Sequence, residues 1–268
     1  LSEGVIEYIS EEISEEFFSA VSSKVINPDV CKNTDLKIIY TPLNGTGNKP
    51  VRKILDRLGI KNVKVVKQQE LPDGNFPTCP YPNPEIRQAF ECAIEMAKTE
   101  PADLLLATDP DCDRMGIAVY DGKDYKLMTG NEVGALFTEY VLSQYKEKGI
   151  MPKNPVVIKS FVTTDLVRVI ANDYGAKVAD LLTGFKYIGG EILRLEGTGR
   201  EGEFLFGFEE SCGYLKGTYV RDKDAVVAAM LVAELAADCT QKGRTLPEQM
   251  DALYAAFGFY AAQVQSVQ

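Results

Sequence analysis

Three carboxylates alternate with other residues in Thr108-Asp109-Pro110-Asp111-Cys112-Asp113-Arg114. The stretch follows Asp103–Ala107, an apolar run that reads as a buried strand, and α/β proteins place ligands beyond the carboxyl ends of their strands. In an extended loop alternate side chains point the same way, so Asp109, Asp111 and Asp113 are spaced to converge on one hard cation. Mg2+ takes about six oxygens at about 2.0–2.1 Å and commonly completes its shell with phosphate or water. Three clustered anions repel one another when no cation joins them. An isolated Asp-x-Asp is common in solvated turns. A triple repeat closed by an arginine and seated behind a strand favours the metal reading.

Other stretches carry weaker signals. Gly207-Phe208-Glu209-Glu210-Ser211-Cys212-Gly213 also follows a strand-like run, and its carboxylate and hydroxyl groups between glycines suit sugar hydroxyls. By itself it reads equally as a polar turn. Thr183-Gly184-Phe185-Lys186 places a lysine near a helix start, where it can serve as a phosphate cation or a proton donor, although most exposed lysines do neither. Arg221-Asp222-Lys223-Asp224 reads as a charged first helical turn. Asn44-Gly45-Thr46-Gly47-Asn48 lies between a strand and a helix, as an anion cradle does, but lacks the spacing of a nucleotide-binding loop and reads equally as a glycine-rich turn.

Composition narrows the chemistry further. The 268 residues contain no histidine, which excludes Ser-His and Cys-His catalytic pairs and His-ligated zinc or haem. A net charge of −10 argues against general nucleic-acid partners and against anionic membrane surfaces. Six cysteines without a Cys-x-x-Cys pair point to reduced thiols and a cytoplasmic setting. Ala225–Ala237 is the most apolar segment, but it is interrupted by Glu234 and falls short of the roughly 20 residues of a membrane helix.

The elements that must position these groups alternate along the chain. Strands are expected at Leu36–Tyr40, Val63–Val66, Asp103–Ala107, Gly116–Tyr120 and Lys126–Met128. Helices are expected at about Pro50–Leu58, from Asn83 through Ala97, and at Asn131–Lys148. Met151-Pro-Lys-Asn-Pro155 suggests a division, giving units of residues 1–150 and 151–268. The second half repeats the order, with strands near Val156, Lys177 and Phe204 and helices near Asp165, Tyr187 and Lys223. The expected fold class is α/β: two consecutive three-layer α/β domains with mainly parallel mixed sheets.

Taken in order, these stretches resemble the α-D-phosphohexomutase superfamily, the phosphoglucomutases and phosphomannomutases, nearest the branch with bacterial phosphoglucomutases and phosphopentomutases. The residues that carry the likeness are Thr41–Gly47, Asp73–Pro77 with Pro82–Glu85, Thr108–Arg114, Thr183–Tyr187, Gly207–Gly213 and Gly217–Ala225. The resemblance implies that this chain is domains two and three of four. The partners would then be the first domain, with its phosphoserine, and the phosphate-gripping fourth. It implies Mg2+ ligation by Asp109, Asp111 and Asp113, and contact of Arg114 with the reacting phosphoryl group. Lys186 would assist in acid/base work or phosphate neutralisation. Glu209 and Ser211 would hold the sugar hydroxyls, with Thr183 and Gly184 beside them. The activity implied is an intramolecular phosphotransfer between hexose 1-phosphate and hexose 6-phosphate, through the phosphoserine and a hexose bisphosphate. Two positions depart from the pattern: Cys112 where glycine or alanine is usual, and Asn44 where relatives often carry histidine. The rival readings are a haloacid-dehalogenase-like Mg2+ phosphatase with an aspartyl nucleophile, and a non-catalytic module that binds metal or sugar phosphate.

Overall fold

A computed structural model of the chain describes residues 4, 5 and 7–262. The apolar runs of the first half form one sheet from β1 (Lys37–Thr41), β2 (Asn62–Val65), β3 (Leu104–Thr108), β4 (Met115–Tyr120) and β5 (Tyr125–Met128). Its order is β2-β1-β3-β4-β5, parallel at β2-β1-β3 and antiparallel beyond. Side chains alternate between the two faces of a strand, and both faces of this sheet are covered. Ile38, Tyr40, Leu104, Leu106 and Ile117 join one core cluster, whereas Ile39, Leu105, Ala107 and Ala118 join another. The second cluster packs under α4 (Glu91–Ala97) and the 3-10 turn Arg87–Phe90. The opposite face meets a long helix of the second half, α8 (Ala225–Gln241), with α3 (Asn48–Leu58) and α1 (Glu11–Ser22) beyond it. Gly59 ends α3 in the left-handed conformation at φ 98°, the stop that its position suggested.

The second sheet has the order β7-β6-β8-β9, from β6 (Val156–Ser160), β7 (Lys177–Leu181), β8 (Phe204–Glu209) and β9 (Gly213–Leu215). It is parallel except at β8-β9. α5 (Gly130–Glu147) covers the Phe206 and Phe208 face, while α7 (Phe185–Glu196) packs on β6 and β8 from the Gly207 side. α6 (Leu166–Asp173) and α9 (Leu246–Phe257) complete the α5 layer, and α2 (Pro28–Lys32) lies against α8. Both units are therefore helix–sheet–helix sandwiches with mixed sheets, the expected fold class. No helix among the described residues is long and apolar enough to cross a membrane, and all six cysteines are free.

Two sequence expectations change. The helix expected from Asn83 begins only at Glu91. Asn83 Oδ1 instead accepts the Glu85 N–H at 2.9 Å, an Asx turn that presses Pro84 against Gly116. A Cβ on Gly116 would lie 2.2 Å from the Pro84 carbonyl oxygen, so this approach needs glycine. The second change concerns the division between the units. α5 precedes residue 150 yet packs on β8 and α6, so its apolar face belongs to the second sheet. We place the division at Thr129, the N-cap of α5, where Thr129 and Glu132 form a capping box.

Glycines in two helices of the second unit give a paired stability test. A Cβ on Gly134 in α5 would lie 1.9 Å from the Phe208 ring, whereas one on Gly190 in α7 meets nothing within 4 Å. Gly134→Ala should lose about 1–3 kcal/mol or more by overpacking, and Gly190→Ala should gain about 0.5–1 kcal/mol. Thermal denaturation of the two variants beside the parent chain checks both signs.

Candidate active site

The aspartate loop leaves the carboxyl end of β3 and returns as β4. It is not extended but tightly turned. Cys112 takes φ 62°, its N–H donates to the Asp109 carbonyl at 3.0 Å, and Asp109 Oδ1 accepts the N–H groups of Asp113 and Arg114 at 3.1 and 2.9 Å. The turn still achieves the expected convergence: one carboxylate oxygen from each of Asp109, Asp111 and Asp113 lies within 4.8 Å of the others. Asp109 is buried, Asp111 exposed and Asp113 between them. Such a set of hard oxygen donors, one anchored and two facing outward, fits a Mg2+ ion with places left for water or phosphate. Burial pushes the Asp109 carboxyl up to about 6 against the opposing pull of Arg114, a cost that a bound cation would relieve.

Arg114 is held from two sides. Its Nε donates to Asp109 Oδ2 at 2.7 Å and one terminal nitrogen reaches Glu85 at 3.2 Å. Glu85 was part of the sequence likeness but not a site candidate; its Asx turn is what delivers it here. The glycine-rich loop supports this arrangement from below. Thr46 N–H donates to the Pro110 carbonyl at 2.8 Å, and a Cβ on Gly45 would lie 2.3 Å from Pro110 Cα. With Asn44 N–H on Gln69 and Gly45 N–H on Pro42, these amides hold backbone and do not form an anion cradle. Asn44, at φ 57°, donates its side-chain amide to the Leu71 carbonyl at 2.9 Å, a structural role in place of proton handling.

The sugar-loop candidates gather at the carboxyl end of β8. Glu209 is buried and accepts the Gly184 N–H at 2.6 Å, so the Thr183–Lys186 loop meets it directly. Burial pushes its carboxyl above the usual range. Glu210 points elsewhere, accepting the hydroxyls of Ser160 at 2.8 Å and Thr163 at 3.1 Å. Ser211 is half-buried, while Thr183 and Lys186 are exposed, Lys186 reaching 5.1 Å over the Tyr187 ring. Lys223, read from sequence as part of a charged helical turn, links the groups. Its Nζ lies 2.7 Å from Asp113 Oδ2 and 5.9 Å from the Phe185 ring centroid, and its stem fills the space beside Gly213. The sequence signal was its place in the Gly217–Ala225 stretch, without any sign of a long-range partner. Clefts of about 690 and 710 Å3 lie elsewhere on the molecule, so the assignment rests on side-chain chemistry and not on concavity.

Family models agree with this layout. Residues 15–122 match "Phosphoglucomutase/phosphomannomutase, alpha/beta/alpha domain II" and residues 129–257 match domain III. The chain belongs to the phosphoglucomutase/phosphomannomutase family. It is 32% identical over 257 residues to a phosphomannomutase of Mycoplasmoides pirum, covering 96% of this chain and 46% of that protein. Against a phosphoglucomutase of Staphylococcus epidermidis it is 35% identical over 250 residues, covering 93% of this chain and 44% of the relative. The chain thus spans about half the length of these relatives, and the domains matched are the central ones. Its fold is shared with Aspergillus fumigatus N-acetylphosphoglucosamine mutase, solved with GlcNAc-6P and magnesium, at TM-score 0.59 and 15% identity over 92% of this chain and 49% of that one. The phosphatase alternative is not favoured: Asp109 already accepts from Arg114 and two backbone amides, which leaves a poor nucleophile.

Mg2+ added to the chain should raise its melting temperature. At about 100 times its Kd the stabilisation should reach about 2.7 kcal/mol. Asp111→Asn should lose most of this effect. Lys223→Met, which removes the ammonium competing for Asp113, should keep the effect and shift it to lower Mg2+. An unaltered response in Asp111→Asn would remove the loop from the metal site.

Proposed function

We propose that this chain is the metal- and sugar-holding centre of a cytoplasmic phosphohexomutase that interconverts hexose 1-phosphate and hexose 6-phosphate through a phosphoserine and a hexose bisphosphate. The observation that carries the reading is the placement of the aspartate loop and the sugar loop side by side, joined by a bridge between Arg114 and Gly213. Asp109, Asp111 and Asp113 would hold Mg2+, and the ion when bound supplies positive charge to a transferring phosphoryl group. The Aspergillus protein that shares this fold was solved with GlcNAc-6P and magnesium, which supports the same pairing.

The chain's own residues account for the rest of the work. Phosphoryl transfer is mainly positioning and charge neutralisation. Arg114, held by Asp109 and Glu85, presents a fixed planar cation to phosphate oxygens. Glu209 is kept in place by the Gly184 N–H with its second oxygen left to accept from a sugar hydroxyl, and Ser211 lies two residues along. Thr183 and Gly184 would lie beside the sugar, the Gly184 N–H being already on Glu209. Lys186, exposed at the start of α7, would neutralise phosphate or hand on a proton. A carboxylate and a hydroxyl gripping hydroxyls, not phosphates, tolerate the sugar in either direction, which the bisphosphate's reorientation requires.

Two kinetic outcomes follow. The 268-residue chain alone, which lacks a match to the family's phosphoserine segment, should show no turnover of glucose 1-phosphate above a metal-free blank. In the intact enzyme Glu209→Gln should lower kcat/KM in both directions by one to two decades, the worth of a charge-assisted hydrogen bond of about 1.5–3 kcal/mol. The melting temperature measured alongside separates the roles: lost stability with intact kinetics would assign Glu209 to the scaffold.

A further inference from the structure

A second charged group surrounds a cavity of about 380 Å3. Its walls are the segment between α1 and α2, Tyr145 in the last turns of α5, the start of β8 and the residues after β9. Lys216 there is only 4% exposed. Its ammonium donates to the Tyr145 hydroxyl at 3.1 Å and lies 5.1 Å from that ring's centroid. The other buried lysine, Lys159, shows what is usual: Asp180 stands at 2.9 Å and the Thr163 carbonyl at 2.9 Å. Among the described residues Lys216 has no carboxylate within the 4.0 Å of an ion pair. Glu234 on α8 bears on it electrostatically, but that carboxylate is taken by the N–H groups of Ile26 and Asn27 and the Tyr140 hydroxyl.

A second cation faces the same space. Lys24 runs along Gly217, its Nζ 3.3 Å from where a Cβ on that glycine would sit. Glu201 is also on the rim but exposed, where solvent screens its charge. A buried ammonium without a counter-charge is unfavourable. Burial lowers the Lys216 pKa to about 8, so near pH 7 most molecules retain the charge. The cavity is also remote from Glu209: it opens at Phe204 and Leu205, the far end of β8, and five residues of strand span about 16 Å.

We propose that this cavity is an anion site, in which Lys216, Lys24 and the Tyr145 hydroxyl hold a compact oxyanion, a phosphate or carboxylate group. The test is thermal denaturation of the 268-residue chain in metal-free buffer at pH 7. Inorganic phosphate and succinate are the probes, and sodium chloride at matched ionic strength is the control. At about five times its Kd the preferred anion should raise the melting temperature by about 2–4 °C. Lys216→Met should abolish that rise and Lys24→Met should reduce it. Without anion, Lys216→Met should melt at or above the parent chain, because it removes a buried charge. Trace acetylation read by peptide mass spectrometry gives a second readout. The same anion concentration should lower labelling of Lys216 about six-fold and leave exposed Lys61 unchanged. An anion shift that survives in Lys216→Met, no shift with either probe, or unprotected Lys216 labelling would overturn the site.

Discussion

The antiparallel bridge between Arg114 and Gly213 ties the end of the aspartate loop to the end of the sugar loop. Around it, Met115 N–H donates to the Cys212 carbonyl at 3.0 Å and Ala225 N–H to the Cys112 carbonyl at 3.1 Å. The bridge joins the two sheets and the Ala225 bond ties the first residue of α8 to the aspartate loop, so each loop is an anchor for its neighbour. Backbone hydrogen bonds in a buried setting fix position more tightly than side-chain packing, since leaving any of them unmade strands a desolvated polar group. That rigidity keeps the aspartate cluster and Glu209 at one spacing, as the proposed function requires.

Holding the loops together has a conformational cost. Cys112 and Cys212 both adopt left-handed backbone, at φ 62° and 64°, a region that disfavours side chains with a Cβ by about 1–2 kcal/mol. The carbonyls of these two residues are the ones engaged across the junction, so the strain sits where the cross-domain bonds compensate it. α8 supplies the rest of the support. It is buried along nearly its whole length between the two units, and its Glu234 accepts backbone N–H groups from the segment between α1 and α2. Charge at the site is balanced in the same local way. Asp113 is shared between Lys223 and Arg114, and Arg114 between Asp109, Asp113 and Glu85.

Much of this was legible from residue order. The strands ended within a residue or two of their sequence limits because buried β-branched and leucine runs between glycine and proline punctuation allow few alternatives. The carboxylate cluster was legible because its spacing is local: all three aspartates lie within five residues, and a tight turn serves as well as an extended loop to bring them together. The helix expected from Asn83 was misread because its capping signal is also an Asx-turn signal, and the competing contact, Pro84 on Gly116, lies about thirty residues away. The side on which α5 packs was not legible for a related reason, since its apolar face does not say which sheet it will cover.

The sequence by itself determined the α/β alternation, the cluster of three carboxylates, the absence of histidine chemistry and, through ordered motifs, the family. These are properties of short segments or of composition, and a short segment carries its own periodicity and turn chemistry wherever it is placed. Only the tertiary structure decided that Lys223 pairs with Asp113, that Glu85 steadies Arg114, that Glu209 takes the Gly184 amide while Glu210 turns to Ser160, and that Lys216 is buried without an acid beside it. Each depends on groups brought together across two sheets, and a side chain's charge, burial and hydrogen-bond partner are set by what packs against it.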